Sequence, residues 1–268
     1  MSRLDKPSSL PTNVLRSTPL AEAYEKLFVT IPADTPELQE EAYRLRYQVY
    51  CVERDFEDPA QHPDGLERDR FDNHSVQALL MHRVSRRTVG TVRLVLQSRR
   101  ANGHSLPFYS VCHDRLPKYG DFLPRETTAE LSRFAISKAF RQRADDGAYG
   151  VSYGLRELDA DPHRVIPSVT LGLMTAALQM GTLHGVEHVC AIMEPSLLRL
   201  VARFGFHFER FGPPLDYHGL RQPCYANVEE LIAGVEAERP DIWEVVTDRG
   251  RLWKPTRALA TVAVGERG

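Results

Sequence analysis

Apolar residues at positions 38, 42, 45, 49 and 52 follow one another at spacings of four and three, which places them on one face of a helix. Thr35-Pro36 ahead of them supplies a helix start with proline at its first position. Arg46 and Tyr50, four residues apart, border this stripe near the C-terminal end of the helix. A short apolar run, Leu27 to Ile31, precedes it and predicts a strand closed by Pro32. Between Glu53 and Asn73 turn formers interrupt every period, so an irregular loop is expected, of a length usually reserved for function or mobility.

The pattern then switches to alternation. Ser75–Val84 and Thr88–Leu96 are apolar runs separated by Ser85-Arg86-Arg87, and predict an antiparallel hairpin. In the second run Val92, Leu94 and Leu96 share one face, so Arg93 projects from the other. Glu130–Ser137 predicts a further strand, while residues 138–165 carry no clear pattern. From Pro167-Ser168 a helix runs with Val169, Leu173, Ala176, Ala177, Met180 and Leu183 on one side, and Gly185 ends it. A strand over Val186–Met193, a short helix from Pro195 capped by Gly205, and strands over Phe206–Phe211 and Pro223–Ala226 follow. Helices are expected from Asn227, with Glu230 at capping-box spacing, and from Pro240. This order predicts a mixed α/β sheet with helices on both faces, in which the strands near 134 and 189 lie parallel and splay around a ligand. The expected organisation is a loose polar arm over 1–26, a domain over 27–227 and a helical extension over 228–268 packed on it.

Composition narrows the functional classes. The 268 residues are 42% hydrophobic and 26% charged with net charge −2, a globular composition with no pull toward nucleic acid. Cys51, Cys112, Cys190 and Cys224 are widely spaced, and the histidine pair His184 and His188 lacks the glutamate of an HExxH motif, so free thiols and no metal are expected. No window approaches the roughly 20 apolar residues of a membrane span, and the first twenty residues lack the apolar core of a signal peptide, which predicts a cytoplasmic protein.

Five charges stand where local pattern gives them no reason: Asp69 and Asp72 ahead of the hairpin, Arg93 inside it, and Glu130 and Arg133 on the next strand. Buried charges are costly unless paired, so the five form either a structural salt-bridge network or a polar active-site wall. Arg46 and Tyr50 have structural readings too, as a carboxylate partner and a core ring. Ser132 has no histidine at triad spacing and is not expected to be a covalent nucleophile.

The segments Arg46-x-x-Val49-Tyr50, Phe56, Glu67-x-Asp69-x-Phe71-Asp72, Gly90-x-x-Arg93-Leu94 and Glu130-x-Ser132-Arg133-Phe134 together resemble the ordered signature of the acyl-homoserine-lactone synthases. The string Leu45 to Glu53 and Tyr217-His218-Gly219 with Arg221 and Pro223 are similar to the acyltransferases associated with the exosortase and PEP-CTERM system, and to N-acyl amino acid synthases. The resemblance implies a GNAT fold, a mixed and mostly antiparallel sheet with a V-shaped splay between its central strands. It implies transfer of a fatty acyl group from an acyl-phosphopantetheine thioester to an amine, with no tightly bound cofactor. Glu130 is then the candidate base, with Arg93, Arg133 and Ser132 around it. A β-bulge near Ser132 is needed to bring Glu130 and Arg133 to one side and to free an amide for the oxyanion. Arg46, Tyr50, Phe56, Asp69, Asp72 and Phe134 are expected to bind substrate, Arg46 and Tyr50 at the pocket entrance.

Two departures shape the substrate expectation. The lactone synthases usually carry tryptophan at Phe56 and phenylalanine at Tyr50, which favours an amino acid acceptor over S-adenosylmethionine. The glycine-bearing pyrophosphate loop of coenzyme A-dependent GNAT enzymes is absent from Arg141 to Gly147, which favours acyl carrier protein as donor and partner over coenzyme A. A lactone synthase and a non-catalytic acyl-binding module are the alternatives.

Overall fold

Thr35 opens the first of the predicted helices as foreseen, its hydroxyl accepting the Leu38 N–H at 3.3 Å. In the computed structural model, which describes residues 19–98, 105–114, 123–138 and 165–253, this helix is α2 (Pro36–Tyr47), preceded by α1 (Pro19–Leu27) and β1 (Phe28–Pro32). Residues 1–18, the stretch containing Arg141 to Gly147, and residues 254–268 lie outside the described residues. Helix α1 replaces part of the expected loose arm. Its Ala21, Tyr24 and Leu27 are buried in the core, a spacing of three that the reading of 1–26 as uniformly polar passed over.

The stripe on α2 does not continue unbroken. After Tyr47 the chain enters a π-helical turn, Gln48–Glu53. The wider turn rotates the following side chains, so Val49 and Cys51 are buried while Val52, expected on the apolar face, is 58% exposed. Arg46, expected at the border, is fully buried.

Strands β2 (Ser75–His82) and β3 (Arg87–Val95) form the predicted hairpin, and β4 (Thr128–Ile136) pairs antiparallel with β3. Helix α3 (Pro107–Val111) lies between β3 and β4 in sequence. Helix α4 (Val165–Leu183) leads to β5 (His188–Met193), which runs parallel to β4 as expected. It begins two residues ahead of the expected Pro167, and Leu183, expected on its apolar side, is 77% exposed near the end where Gly185 takes φ 64°. After α5 (Pro195–Ala202) come two-residue strands β6 (Glu209–Arg210) and β7 (Leu215–Asp216), then β8 (Leu220–Asn227), α6 (Val228–Glu238) and α7 (Pro240–Val246). The sheet order is β1-β2-β3-β4-β5-β8-β6, with β7 on β8. The strand expected over Phe206–Phe211 shrinks to β6. Phe206 and Phe211 are core anchors, but the partner opposite Phe211 is Pro223, which accepts the Phe211 N–H at 2.9 Å and has none to return.

Side-chain alternation on β3 divides the molecule. Val92 and Leu94 face the main core with α4, where residues of α6 and α7 also pack; Val95 belongs to a second cluster with Phe108, Cys190 and Phe211. Gly205, at φ 89°, ends the turn after α5 with its Cα close to Val235; a Cβ there would meet the Val235 Cα at 3.0 Å. Gly172 on α4 allows α1 and β2 to close in: a Cβ there would lie 2.6 Å from Leu80 Cδ2 and closer still to the Tyr24 hydroxyl. Gly172→Ala is therefore expected to cost about 1–3 kcal/mol by overpacking, read as a lowered urea midpoint. An unchanged midpoint would mean that α1 does not dock there.

Candidate active site

Pairing between β4 and β5 runs from Thr128 opposite His188 to Leu131 opposite Ala191. There β4 turns away. Arg93 lies opposite Ser132 and Thr91 opposite Ala135, so β4 carries one extra residue, and Arg133 sits at φ 48°. This is the bulge required to bring Glu130 and Arg133 to a common space, and an extra residue of this kind leaves backbone polar groups outside the ladder. A cavity of about 370 Å³ opens where the strands part, with Leu131, Ser132 and Phe134 on one side and Ile192, Met193 and Glu194 on the other. Met174 of α4 and Leu197, Leu200 and Val201 of α5 add an apolar wall, beside Thr170 of α4.

Glu130 lies in this wall, 3% exposed, its Oε2 accepting the Phe108 N–H at 2.5 Å. Burial pushes its carboxyl up to about 8 against the pull of that amide and of Arg93 and Arg133. Ser132 Oγ accepts from Arg93 Nε at 3.0 Å, and no histidine reaches it among the described residues. Ser132 therefore lacks the base of a triad.

The other charges form one connected network. Arg46 donates through Nε to Glu67 at 2.5 Å, through Nη1 and Nη2 to Asp72 at 2.7 and 3.0 Å, and through Nη1 to Gln77 at 3.0 Å. Arg93 Nη1 reaches Asp69 at 2.7 Å and Asp72 at 2.9 Å. Arg133 joins Glu67 at 2.9 Å, Glu57 at 3.0 Å and Asp69 at 3.2 Å. Asp72 also accepts the Asp69 N–H at 2.8 Å in a reciprocal capping box. Burial alone would raise Glu67 and Asp72; Arg46 acting with Arg133 on Glu67, and with Arg93 on Asp72, outweighs it and holds both at about 2. The carboxylates in turn raise Arg46 and Arg133 despite their burial.

The two readings of the five charges are thus both physical: all but Glu130 are paired in one ionic network, and the front row faces the cavity. Asp69, Arg93, Glu130 and Arg133 line it, with Ser132, Tyr50, Phe56 and Phe134. Arg46 and Asp72 do not. They stand behind the wall, buried, so Arg46 is not at the entrance, because all the faces of its guanidinium that bond are turned to Glu67, Asp72 and Gln77. Glu67, 1% exposed and bonded to two arginines, is the main member that pattern reasoning did not assign, although it lies in the motif two residues before Asp69. Arg54, Glu57, Glu194, Tyr217, His218 and Arg221 also line the cavity. Among them only Tyr217, His218 and Arg221 had a sequence signal, in the quoted resemblance.

All four cysteines are buried and form no disulfide, and none lines the cavity. Burial pushes the thiol of Cys51 up to about 11 and that of Cys224 up to about 12, away from nucleophilic thiolates. Among the described residues no cluster of three or more His, Cys, Asp or Glu is placed to hold a metal ion, and no helix is long and apolar enough to cross a membrane.

Residues 45–146, which include both the π-turn and the bulged strand, match the family described as Acetyltransferase (GNAT) domain. Among solved structures, TofI in a ternary complex with an inhibitor and MTA is 21% identical, over 77% of this chain and 96% of that one, with a TM-score of 0.55. A CoA-dependent acyl-homoserine lactone synthase, BjaI, with SAM and isopentyl-CoA, is 22% identical over 85% of this chain and 91% of that one, with a TM-score of 0.53. At these identities the likeness is one of fold. No curated protein sequence matches the chain.

Proposed function

We propose that this chain, an acyltransferase of the GNAT type, moves a long-chain fatty acyl group from an acyl-phosphopantetheine thioester to the amine of an amino acid. The observation that carries the reading is Glu130: a buried carboxyl bordering a cavity, beside a bulge, where two parallel strands separate. An apolar wall suits the acyl chain, and the gap between β4 and β5 suits the pantetheine arm.

Acyl transfer needs a neutral amine, a place for the developing oxyanion and a proton for the leaving thiol. Asp69, at the front of the ionised network, receives the substrate ammonium. Glu130, in its ionised form, takes a proton from the amine directly or through one water. The amine nitrogen then attacks the thioester carbonyl, the C–N bond forms as the C–S bond breaks, one of the two protons lost by the nitrogen passes through Glu130 to the departing sulfur, and the other is released to water. A bulge amide stabilises the oxyanion. Arg93 and Arg133 hold Asp69 in place, Tyr50, Phe56 and Phe134 shape the pocket, and Ser132 is the hydrogen-bond partner of Arg93. Arg46 and Asp72 act as scaffold for this front row. Acyl carrier protein is the favoured donor and partner, and the resemblance to exosortase-associated acyltransferases points to a task in that setting.

The test supplies purified protein with carrier-protein and coenzyme A thioesters of one chain length and a mixture of amino acids, and reads product masses. New amides without added S-adenosylmethionine are expected, formed faster from the carrier-protein thioester. Product formed only with S-adenosylmethionine, together with methylthioadenosine, would make it a lactone synthase. Acyl-donor binding without turnover on any amine would leave a binding module.

A further inference from the structure

Four arginines line the cavity, and two of them are committed to protein carboxylates. Arg93 is bonded to Asp69, Asp72 and Ser132, and Arg133 to Glu57, Glu67 and Asp69. Neither has a fork open to a substrate carboxylate. Arg54 and Arg221 differ. Arg54 Nη1 donates to Glu194 Oε1 at 2.9 Å, and Arg221 Nη2 lies 3.5 Å from the same oxygen. Arg221 Nη1 also donates to the Leu220 carbonyl at 3.1 Å. No other hydrogen bond or ion pair engages either guanidinium among the described residues. Both are held over the Phe56 ring, at 5.6 and 5.4 Å from its centroid, so their planes are anchored while most of their N–H donors stay unused.

Charge is partitioned across the site. In the inner network three guanidiniums, of Arg46, Arg93 and Arg133, face four carboxylates, of Glu57, Glu67, Asp69 and Asp72, leaving an excess negative charge. In the outer group two guanidiniums face Glu194 alone, leaving an excess positive charge. Tyr50 and Phe56, ring centroids 6.4 Å apart, lie between the two groups, with Arg133 over the first ring. A pocket negative at one end and positive at the other is complementary to a zwitterion.

We propose that Arg54 and Arg221 are the carboxylate subsite for the acceptor, so that the enzyme takes amino acids with the ammonium turned to Asp69 and the carboxylate to the arginine pair. This rests on the amine-acylation reading above. The pair shares one glutamate oxygen, and an incoming carboxylate bonds the free N–H groups beside it in charge-assisted pairs.

The experiment measures KM for an acceptor amino acid, for its carboxamide, and for two donors, acyl-CoA and acyl-pantetheine, which lacks the phosphates. Wild type is expected to prefer the acid over the carboxamide, and Arg54→Gln with Arg221→Gln to raise KM for the acid about tenfold or more. KM for the carboxamide, which carries no charge to pair, should rise far less than KM for the acid, and donor KM should not move. Glu194→Gln, which frees both arginines, should shift KM for the acid the opposite way, a result that impaired folding cannot imitate. Equal use of acid and carboxamide by wild type overturns the subsite alone. A rise in KM for acyl-CoA but not for acyl-pantetheine assigns the arginines to a donor phosphate and also overturns it. Wild type that acylates no amine removes the underlying reading before any variant is made.

Discussion

Glu130→Gln is expected to lower kcat/KM by about 10²- to 10⁴-fold, the usual contribution of a positioned general base. In the parent the rate should rise with pH through about 8, where the Glu130 carboxyl ionises, and this limb should vanish in the variant while the limb of the substrate amine persists. The same shift makes a stability prediction of definite sign. The folded-state value lies above the ordinary carboxyl range, so between about 4.5 and about 8 the folded protein retains a proton that the unfolded chain has released. Stability therefore falls as pH rises across that window and levels off above it. Glutamine keeps a carbonyl for the Phe108 N–H and removes the desolvated charge. The variant should thus melt at the parent temperature near pH 4 and above it near pH 9. Activity within about threefold of the parent at every pH would remove Glu130 as base. A parent Tm that does not fall between these pH values would contradict its burial-driven shift.

Arg46→Met should be the most destabilising change in the network, by about 3–5 kcal/mol at neutral pH, because it leaves Glu67 and Asp72 without their principal partner inside the protein. Exposed pairs such as Arg44 with Glu40 are worth far less, since water screens them. The acid dependence again has a fixed sign. Glu67 and Asp72 are held near 2, below the values they take when unfolded, so their contribution is complete above about 4.5 and is lost as pH falls toward 2. The difference in urea-derived stability between parent and variant should be large at pH 7 and shrink near pH 3. A gap under about 1 kcal/mol at pH 7 would mean that the network is not holding the site together. Removing Glu67 and Asp72 as well, with apolar residues of similar size, should recover part of the loss, because it is the orphaned charges and not the missing bonds that cost most.

The periodicities of α2, α4 and the β2-β3 hairpin were readable because each is a local contest between neighbours three, four or two residues apart. Strand alternation, joined to the resemblance that puts Glu130 and Arg133 in one site, foresaw the bulge at Ser132: two residues three apart on a strand share a face only if one is inserted. It also foresaw Arg93 projecting away from Val92 and Leu94. The family resemblance drew together the Arg46-to-Phe134 segments, and the match over residues 45–146 covers the same ground.

Which charge meets which was decided only in three dimensions. Arg46 and Glu67 are 21 residues apart and Arg54 and Glu194 are 140 apart, and no periodic pattern spans such separations. The widened turn after Tyr47 carries Tyr50 to the cavity, keeps Val49 and Cys51 inside and sends Val52 to solvent, and no local period indicates it. The sequence by itself determined most of the elements, their order and the strand that bears the acid, but not α1, α3 or β7. Tertiary structure alone settled that Arg46 and Asp72 stand behind the wall and that Arg54 and Arg221 keep open forks. An ion's role follows from how many partners surround it, and here those partners come from segments far apart in the chain, which no local pattern relates.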